Sequence, residues 1–250
     1  MPVSKTYNCD CIDILRSMPD KSISLILTDP PYGNASGDFK RQDGSRFGGV
    51  FDRYKKDNDK LQIAGTWVDS KTVTRTGGTW AAKYGKKIID WDVAPTKEYF
   101  DEMLRVADGA VIFGMNYFHE FLPSTRCFVV WKKLTISEDF TMAMAELAWT
   151  NFNDNAKVIE CAPQGKKGDE RFHACQKPIK VFDFCLKHFA KPGDIVLDPF
   201  LGSGSSRIAA WKAGLDFIGC EIDPEYYRLQ EERFQRFTRQ MNLFVDEEDW

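Results

Sequence analysis

The stretch that decides the fold is Asp194-Ile195-Val196-Leu197-Asp198-Pro199-Phe200-Leu201-Gly202-Ser203-Gly204-Ser205-Ser206, an apolar run that ends in a Gly-x-Gly turn and leads into a helical pattern. Glycines allow the backbone to turn sharply and to approach a ligand closely, and the start of the helix that follows presents unpaired N–H groups. Glu221 lies nineteen residues after Gly202, at the end of the next apolar run, where a carboxylate can accept from ribose hydroxyls. Strand, glycine turn, helix, strand and acid together indicate an α/β sheet that binds a nucleoside-containing cofactor. A dinucleotide-binding dehydrogenase shares this outline, but the position of its third fingerprint glycine holds Arg207 here.

Outward from that stretch, short β-rich apolar runs alternate with longer amphipathic ones. They predict strands at 5–10, 23–29, 109–114, 127–132, 146–151, 194–198 and 216–221, seven in one wide sheet. Helices are predicted at 11–18, 96–107, 178–189, 205–213 and 224–237, the last opening on Pro224. At 250 residues, a single domain over 1–250 with insertions is the expected organisation.

The second informative stretch is Ile23-Ser24-Leu25-Ile26-Leu27-Thr28-Asp29-Pro30-Pro31-Tyr32. A buried-strand pattern stops at two prolines, which remove two N–H donors and stiffen the turn, so Asp29 and Tyr32 project from the carboxyl end of a strand. That edge is where open α/β sheets bind ligands. An exocyclic base amine is a poor nucleophile because its lone pair is delocalised into the ring. The Asp29 carboxylate and the Pro30 carbonyl can accept its two hydrogens, and Tyr32 can stack on a base rotated out of a duplex.

Two segments interrupt the alternation. Residues 35–87 are rich in glycine and carry twelve Lys or Arg against six Asp, net +6, while the rest of the chain is net −9. The whole chain, at net −3 and a pI near 5.7, does not have the basic balance common in nucleic-acid binders. Its positive charge is concentrated behind the tetrapeptide, and Lys40, Arg41, Arg46, Arg53, Lys55, Lys56 and Arg75 are the candidate phosphate contacts. Aromatic residues interleaved there, Phe39 and Trp67 among them, could stack on bases. Residues 153–172 read as a short exposed loop and a minor recognition element.

The seven cysteines include no Cys-x-x-Cys, and with only three histidines no metal site is expected. They fit a reducing cytoplasm better than a disulfide framework. The N-terminus lacks a signal-peptide pattern and no run is apolar enough for a membrane span, so a cytoplasmic protein is expected.

With both motifs in hand, the sequence resembles the permuted β group of SAM-dependent DNA amino-methyltransferases, in which the catalytic tetrapeptide precedes the cofactor motif. Asn8-Cys9-Asp10-Cys11, Val111-Ile112-Phe113-Gly114, Val129-Val130-Trp131-Lys132 and Ala145-Glu146-Leu147-Ala148-Trp149 extend the likeness over most of the chain. His173-Ala174-Cys175-Gln176-Lys177-Pro178 is similar to the family's His-Pro-Thr-Gln-Lys-Pro segment, departing at Ala174 and Cys175.

The resemblance implies a Rossmann-like SAM-dependent methyltransferase fold, with seven mostly parallel strands and one of them antiparallel, and in-line transfer from SAM to a flipped base. Asp29, Pro30, Pro31 and Tyr32 would be catalytic. Asp10, Cys11, Asp29, His173, Lys177, Asp198, Phe200, Gly202, Gly204, Ser205 and Glu221 would form the SAM side. Within that set Asp10 faces the adenine ring and Glu221 the ribose, and Phe200 and His173 are either contacts or packing residues. An Asp at the head of the tetrapeptide is associated with adenine N6, the alternatives being cytosine N4 or an inactive SAM- and DNA-binding regulator. Double-stranded DNA as partner, a homodimer through the helical faces, and a bacterial or phage restriction-modification setting complete the expectations.

Overall fold

The computed structural model describes residues 1–33, 60–63, 66–69, 92–136, 143–163, 171–173 and 175–245. Its strands are β1 (Ser4–Tyr7), β2 (Ile23–Thr28), β3 (Lys60–Ile63), β4 (Thr66–Asp69), β5 (Ala107–Phe113), β6 (Phe128–Lys133), β7 (Ala145–Thr150), β8 (Lys157–Cys161), β9 (Ile195–Asp198) and β10 (Asp216–Cys220). Its helices are α1 (Cys11–Ser17), α2 (Lys97–Val106), α3 (Ile179–Phe189), α4 (Ser205–Lys212) and α5 (Pro224–Val245).

Eight strands form one sheet in the order β1-β10-β9-β2-β5-β7-β6-β8. Only β7 runs against the others, pairing antiparallel with both β5 and β6. All seven expected strands and the single antiparallel one are present, in a mostly parallel α/β sheet. The eighth strand, β8, corrects the reading of 153–172 as a loop. It is an edge strand, parallel to β6, in which only Ile159 and Cys161 are buried. Five residues with half their side chains in water lack the apolar run that marks a central strand. β8 is held by Trp131 Nε1 donating to the Cys161 carbonyl at 3.1 Å and by the Lys132–Glu160 ion pair.

The central strands are covered on both faces. In β2, Leu25, Ile26, Leu27 and Thr28 have no solvent exposure, as parallel strands under helices require. α3 lays Val181, Phe182, Cys185, Leu186 and Phe189 into the core that holds Leu25, Leu27, Val111, Phe113, Val129 and Val196. α2 buries Phe100, Met103 and Val106. Each such large apolar side chain contributes about 1.5–3 kcal/mol when fully buried, which fixes the strand register on which the site depends.

The chain divides into two units. The first comprises Met1–Pro30, Thr96–Leu134 and Ala145–Trp250 and contains the eight-stranded sheet. The second comprises Pro31–Pro95 and Thr135–Met144, and holds the antiparallel hairpin of β3 and β4, paired from Lys60↔Asp69 to Ile63↔Thr66.

Candidate active site

The sheet's connections decide where ligands can sit. From β9 the chain passes through α4 to β10 on one side, whereas β2 has β5 as its neighbour on the other. β2 and β9 are adjacent and parallel, with Leu25 opposite Val196 and Ile26 opposite Leu197. The carboxyl ends of two parallel strands whose connections leave in opposite directions form the usual ligand crevice of such sheets. Asp29 follows β2 directly, and the glycine turn follows β9.

The two strand ends are tied together by a buried hydrogen bond from Thr28 Oγ1 to Asp198 Oδ1 at 2.6 Å. Asp198 also accepts from the Phe200 amide at 3.1 Å and from the Ser206 hydroxyl. Burial pushes this carboxyl up to about 6, against the pull of those donors. Its oxygens are thus committed to β2 and to the start of α4, so Asp198 shapes the turn from beneath.

The turn itself requires its glycines. Gly202 and Gly204 have φ of +53° and +74°, a region that side-chain-bearing residues rarely adopt. A Cβ on Gly204 would stand 3.2 Å from Gln230, and one on Gly202 would stand 3.4 Å from His173 Nε2. His173 accordingly sits beneath the turn. Its ring centroid is 4.3 Å from that of Tyr226, and its Nδ1 accepts from the Cys175 amide at 3.1 Å. Burial holds this histidine neutral, its pKa pushed down to about 3.

Glu221 follows β10 directly and faces the turn: Oε2 accepts from the Gly202 amide at 2.7 Å and Oε1 from the Asp223 amide at 2.9 Å. Burial pushes its carboxyl up to about 7, and those two N–H donors only partly offset the effect. Ser205, the first residue of α4, donates its hydroxyl to the Lys177 carbonyl at 2.8 Å and accepts from Arg233 Nη1 at 2.9 Å.

At the start of the first unit, Asp10 caps α1, accepting from the Ile12 amide at 3.0 Å. Its two oxygens also receive the Tyr99 hydroxyl, at 3.1 and 2.9 Å. The Tyr99 ring lies 6.1 Å from that of Phe200, so Asp10, Tyr99 and Phe200 are brought together. Cys11 is buried in the core. Tyr99 was not legible as a site residue, because it lies on a helix whose apolar spacing reads only as packing.

Asp29 stands in a second cluster. Lys177 Nζ lies 2.5 Å from Asp29 Oδ2 and 2.8 Å from Glu146 Oε2, and Lys133 Nζ lies 2.5 Å from Glu146 Oε1. Burial opposes the Lys177 charge, but Asp29 and Glu146 outweigh it and raise its pKa. Glu146 is pushed the other way: burial would raise it, and the two lysines bring it down to about 2. Lys177, expected among the SAM-side residues, places its side chain on Asp29, another member of that set. Glu146 and Lys133 were missed altogether, although a lysine and a glutamate placed inside β6 and β7 are the signal that could have revealed them.

The tetrapeptide crosses the division of the chain, with Asp29 and Pro30 in the first unit and Pro31 and Tyr32 in the second. Within the second unit the Gly33 amide donates to Asp92 at 3.0 Å. Lys40, Arg41, Arg46, Arg53, Lys55, Lys56 and Arg75 lie outside the described residues. Among the described residues there is no group of three or more metal-ligating side chains, and no helix is long and apolar enough to cross a membrane.

Comparison with known proteins bears on this geometry. The family model described as DNA methylase, for N6 and N4 methyltransferases, matches residues 127–232, which contain Glu146, Lys177, Asp198 and Glu221. The type II methyltransferase M.HinfI of Haemophilus influenzae is 26% identical over 93% of this chain and 68% of its own length. In fold, the M1.HpyAVI–SAM complex is similar at a TM-score of 0.53 and 18% identity, covering 93% of this chain and 99% of the other. The cytosine-N4-specific PvuII DNA methyltransferase is similar at 0.59 and 15% identity, covering 98% and 94%. The glycine turn and Asp29 thus stand on neighbouring strand ends in a chain whose residues 127–232 match the DNA methylase model and whose fold is similar to that of solved DNA methyltransferases.

Proposed function

We propose that the protein transfers a methyl group from SAM to the exocyclic N6 amine of adenine in double-stranded DNA, acting on a base rotated out of the helix. The observation that supports this reading best is the Thr28–Asp198 hydrogen bond between β2 and β9. It sets the carboxylate of Asp29 one residue from the strand end that carries the glycine turn.

SAM supplies a methyl group already activated on a sulfonium, so this chain's task is chiefly to position. The residues present fit it. The turn at Gly202 and Gly204 holds the positive φ that side-chain-bearing residues rarely adopt, and Glu221 retains acceptor capacity for ribose hydroxyls on oxygens already oriented by Gly202 and Asp223. Asp10, oriented by Tyr99, would receive the adenine ring beside Phe200. His173 and Asp198 would hold the turn's shape. At the other side, Asp29 and the Pro30 carbonyl would accept the two amine hydrogens and direct the lone pair at the methyl group, with Asp29 placed to take the proton the nitrogen releases. Tyr32 would stack on the flipped base.

Exposing unmethylated plasmid DNA to the protein and SAM, then sequencing modified bases, tests the reading and resolves its finer part. N6-methyladenine at a defined sequence is the expected product. N4-methylcytosine would overturn the adenine assignment alone, and the absence of any methylated base would overturn the activity.

The basic segment 35–87 would supply phosphate contacts. Alanine at Lys40, Arg41 and Arg46 together is expected to weaken DNA binding about tenfold at low salt and to flatten its dependence on salt. An unchanged slope in a fluorescence-anisotropy titration would remove the segment from the interface.

A further inference from the structure

The proposal rests on the methyl-transfer reading and concerns the buried charges beside Asp29. Four ionised side chains alternate in sign: Asp29, Lys177, Glu146, Lys133, linked by separations of 2.5, 2.8 and 2.5 Å. The two lysines are 4% and 5% exposed. Taking such groups out of water is expensive, and well-packed apolar residues of similar volume are often as stable or more so. Stability is therefore a poor reason for their presence.

The geometry gives a better one. Glu146 lies on β7 and Lys133 on β6, neighbouring antiparallel strands of the sheet, which makes the far end of the chain of charges rigid. Lys177 is confined further by aromatic faces, its Nζ lying 4.5 Å from the Phe113 ring centroid and 6.0 Å from that of Trp131. Pro178 follows it, and its carbonyl is already fixed by the Ser205 hydroxyl. One residue thus holds the cofactor turn with its backbone and Asp29 with its side chain.

We propose that Lys177 and Glu146, anchored by Lys133, are positioning residues that fix the orientation of the Asp29 carboxylate, and so set the rate of methyl transfer rather than the affinity for SAM. A lysine pointing at the methionine end of the cofactor would do the reverse. Sharing between two acids also matters. Without Glu146, Lys177 would give its whole charge to Asp29 and weaken it as an acceptor of amine hydrogens.

The test compares wild type, Lys177→Met, Lys177→Arg and Glu146→Gln. Single-turnover transfer from labelled SAM to unmethylated plasmid DNA is measured at saturation, and SAM affinity is measured by calorimetry without DNA. Lys177→Met is expected to slow transfer about tenfold to a hundredfold, the scale of one lost charge-assisted hydrogen bond, with SAM affinity within twofold of wild type. Lys177→Arg should recover part of the rate, because it restores the charge with different geometry. Loss of SAM affinity with the saturated rate intact, or no change in either, overturns the proposal. Should Lys177→Met show no cooperative thermal transition, Glu146→Gln decides: a severalfold slower transfer at unchanged SAM affinity supports the relay, and a wild-type rate removes it. Failure of the wild-type protein to methylate DNA would instead refute the activity on which the proposal rests.

Discussion

Two groups of carboxylates stand at neighbouring strand ends, and their electrostatics are opposite. Asp198, the last residue of β9, and Glu221, just after β10, are satisfied by amides and hydroxyls, and burial pushes them up to about 6 and about 7. Glu146 shares Lys177 and Lys133, which bring it down to about 2, and Lys177 is also on Asp29. The first pair is buried acid held by dipoles; the second is buried acid neutralised by resident cations. The difference matches the partners proposed for each side. SAM carries a sulfonium, an ammonium and one carboxylate, so it brings net positive charge to acids that have not been matched with a cation. The target amine is neutral, so Asp29 must have its charge compensated by the protein before a base arrives.

The sharpest way to break this contrast is to remove one end of it. Asp29→Ala is expected to reduce methyl transfer by about a hundredfold to ten-thousandfold, the order a positioned acid or base contributes, while SAM affinity stays within a few fold. Calorimetry and a labelled-SAM assay check both halves, and full activity in the variant would eliminate the tetrapeptide as the catalytic centre. A smaller effect is expected on the cofactor side. Below its pKa of about 7 Glu221 is protonated, and above it the carboxylate can accept ribose hydroxyls, with Asp198 and Asp223 both facing it. SAM affinity should therefore rise, roughly severalfold, between pH 6 and pH 8. Glu221→Gln should bind SAM more weakly and flatten that dependence. A variant as pH-sensitive as wild type would place the titration on another group.

The parts of this molecule that were legible in sequence are those whose physical requirement is local. The run Ile23 to Thr28 has to be a buried strand, and the left-handed Gly202 and Gly204 have to be glycines wherever the turn lies. Local pattern also separated β7 from its neighbours as a strand, and the family resemblance supplied one antiparallel strand without saying which. What escaped depends on contacts between distant positions. The bond from Tyr99 to Asp10 crosses 89 positions, and a tyrosine on an amphipathic helix carries no mark of its partner. Glu146 and Lys133 sit on strands whose pairing, not their sequence, makes them neighbours. β8 escaped for a different reason: an edge strand with a polar outer face resembles a loop until its partner is known. Lys177 was found as a residue but not its partner, because the contact with Asp29 joins positions far apart in the sequence.

The bond between Thr28 and Asp198 has a consequence for how the protein is made. It spans 170 positions, and β1 and β10 pair across a longer interval still, Ser4 lying opposite Phe217. A nascent chain that has not yet delivered β9 holds β2 with β5 on one side only, so the strand bearing Asp29 waits with its other edge open through most of synthesis. Pairings of such long range close slowly, since the loop entropy must be overcome before any contact is gained. The two strand ends that carry Asp29 and the glycine turn can therefore come together only late, and a chain stopped before residue 195 keeps an open edge on β2.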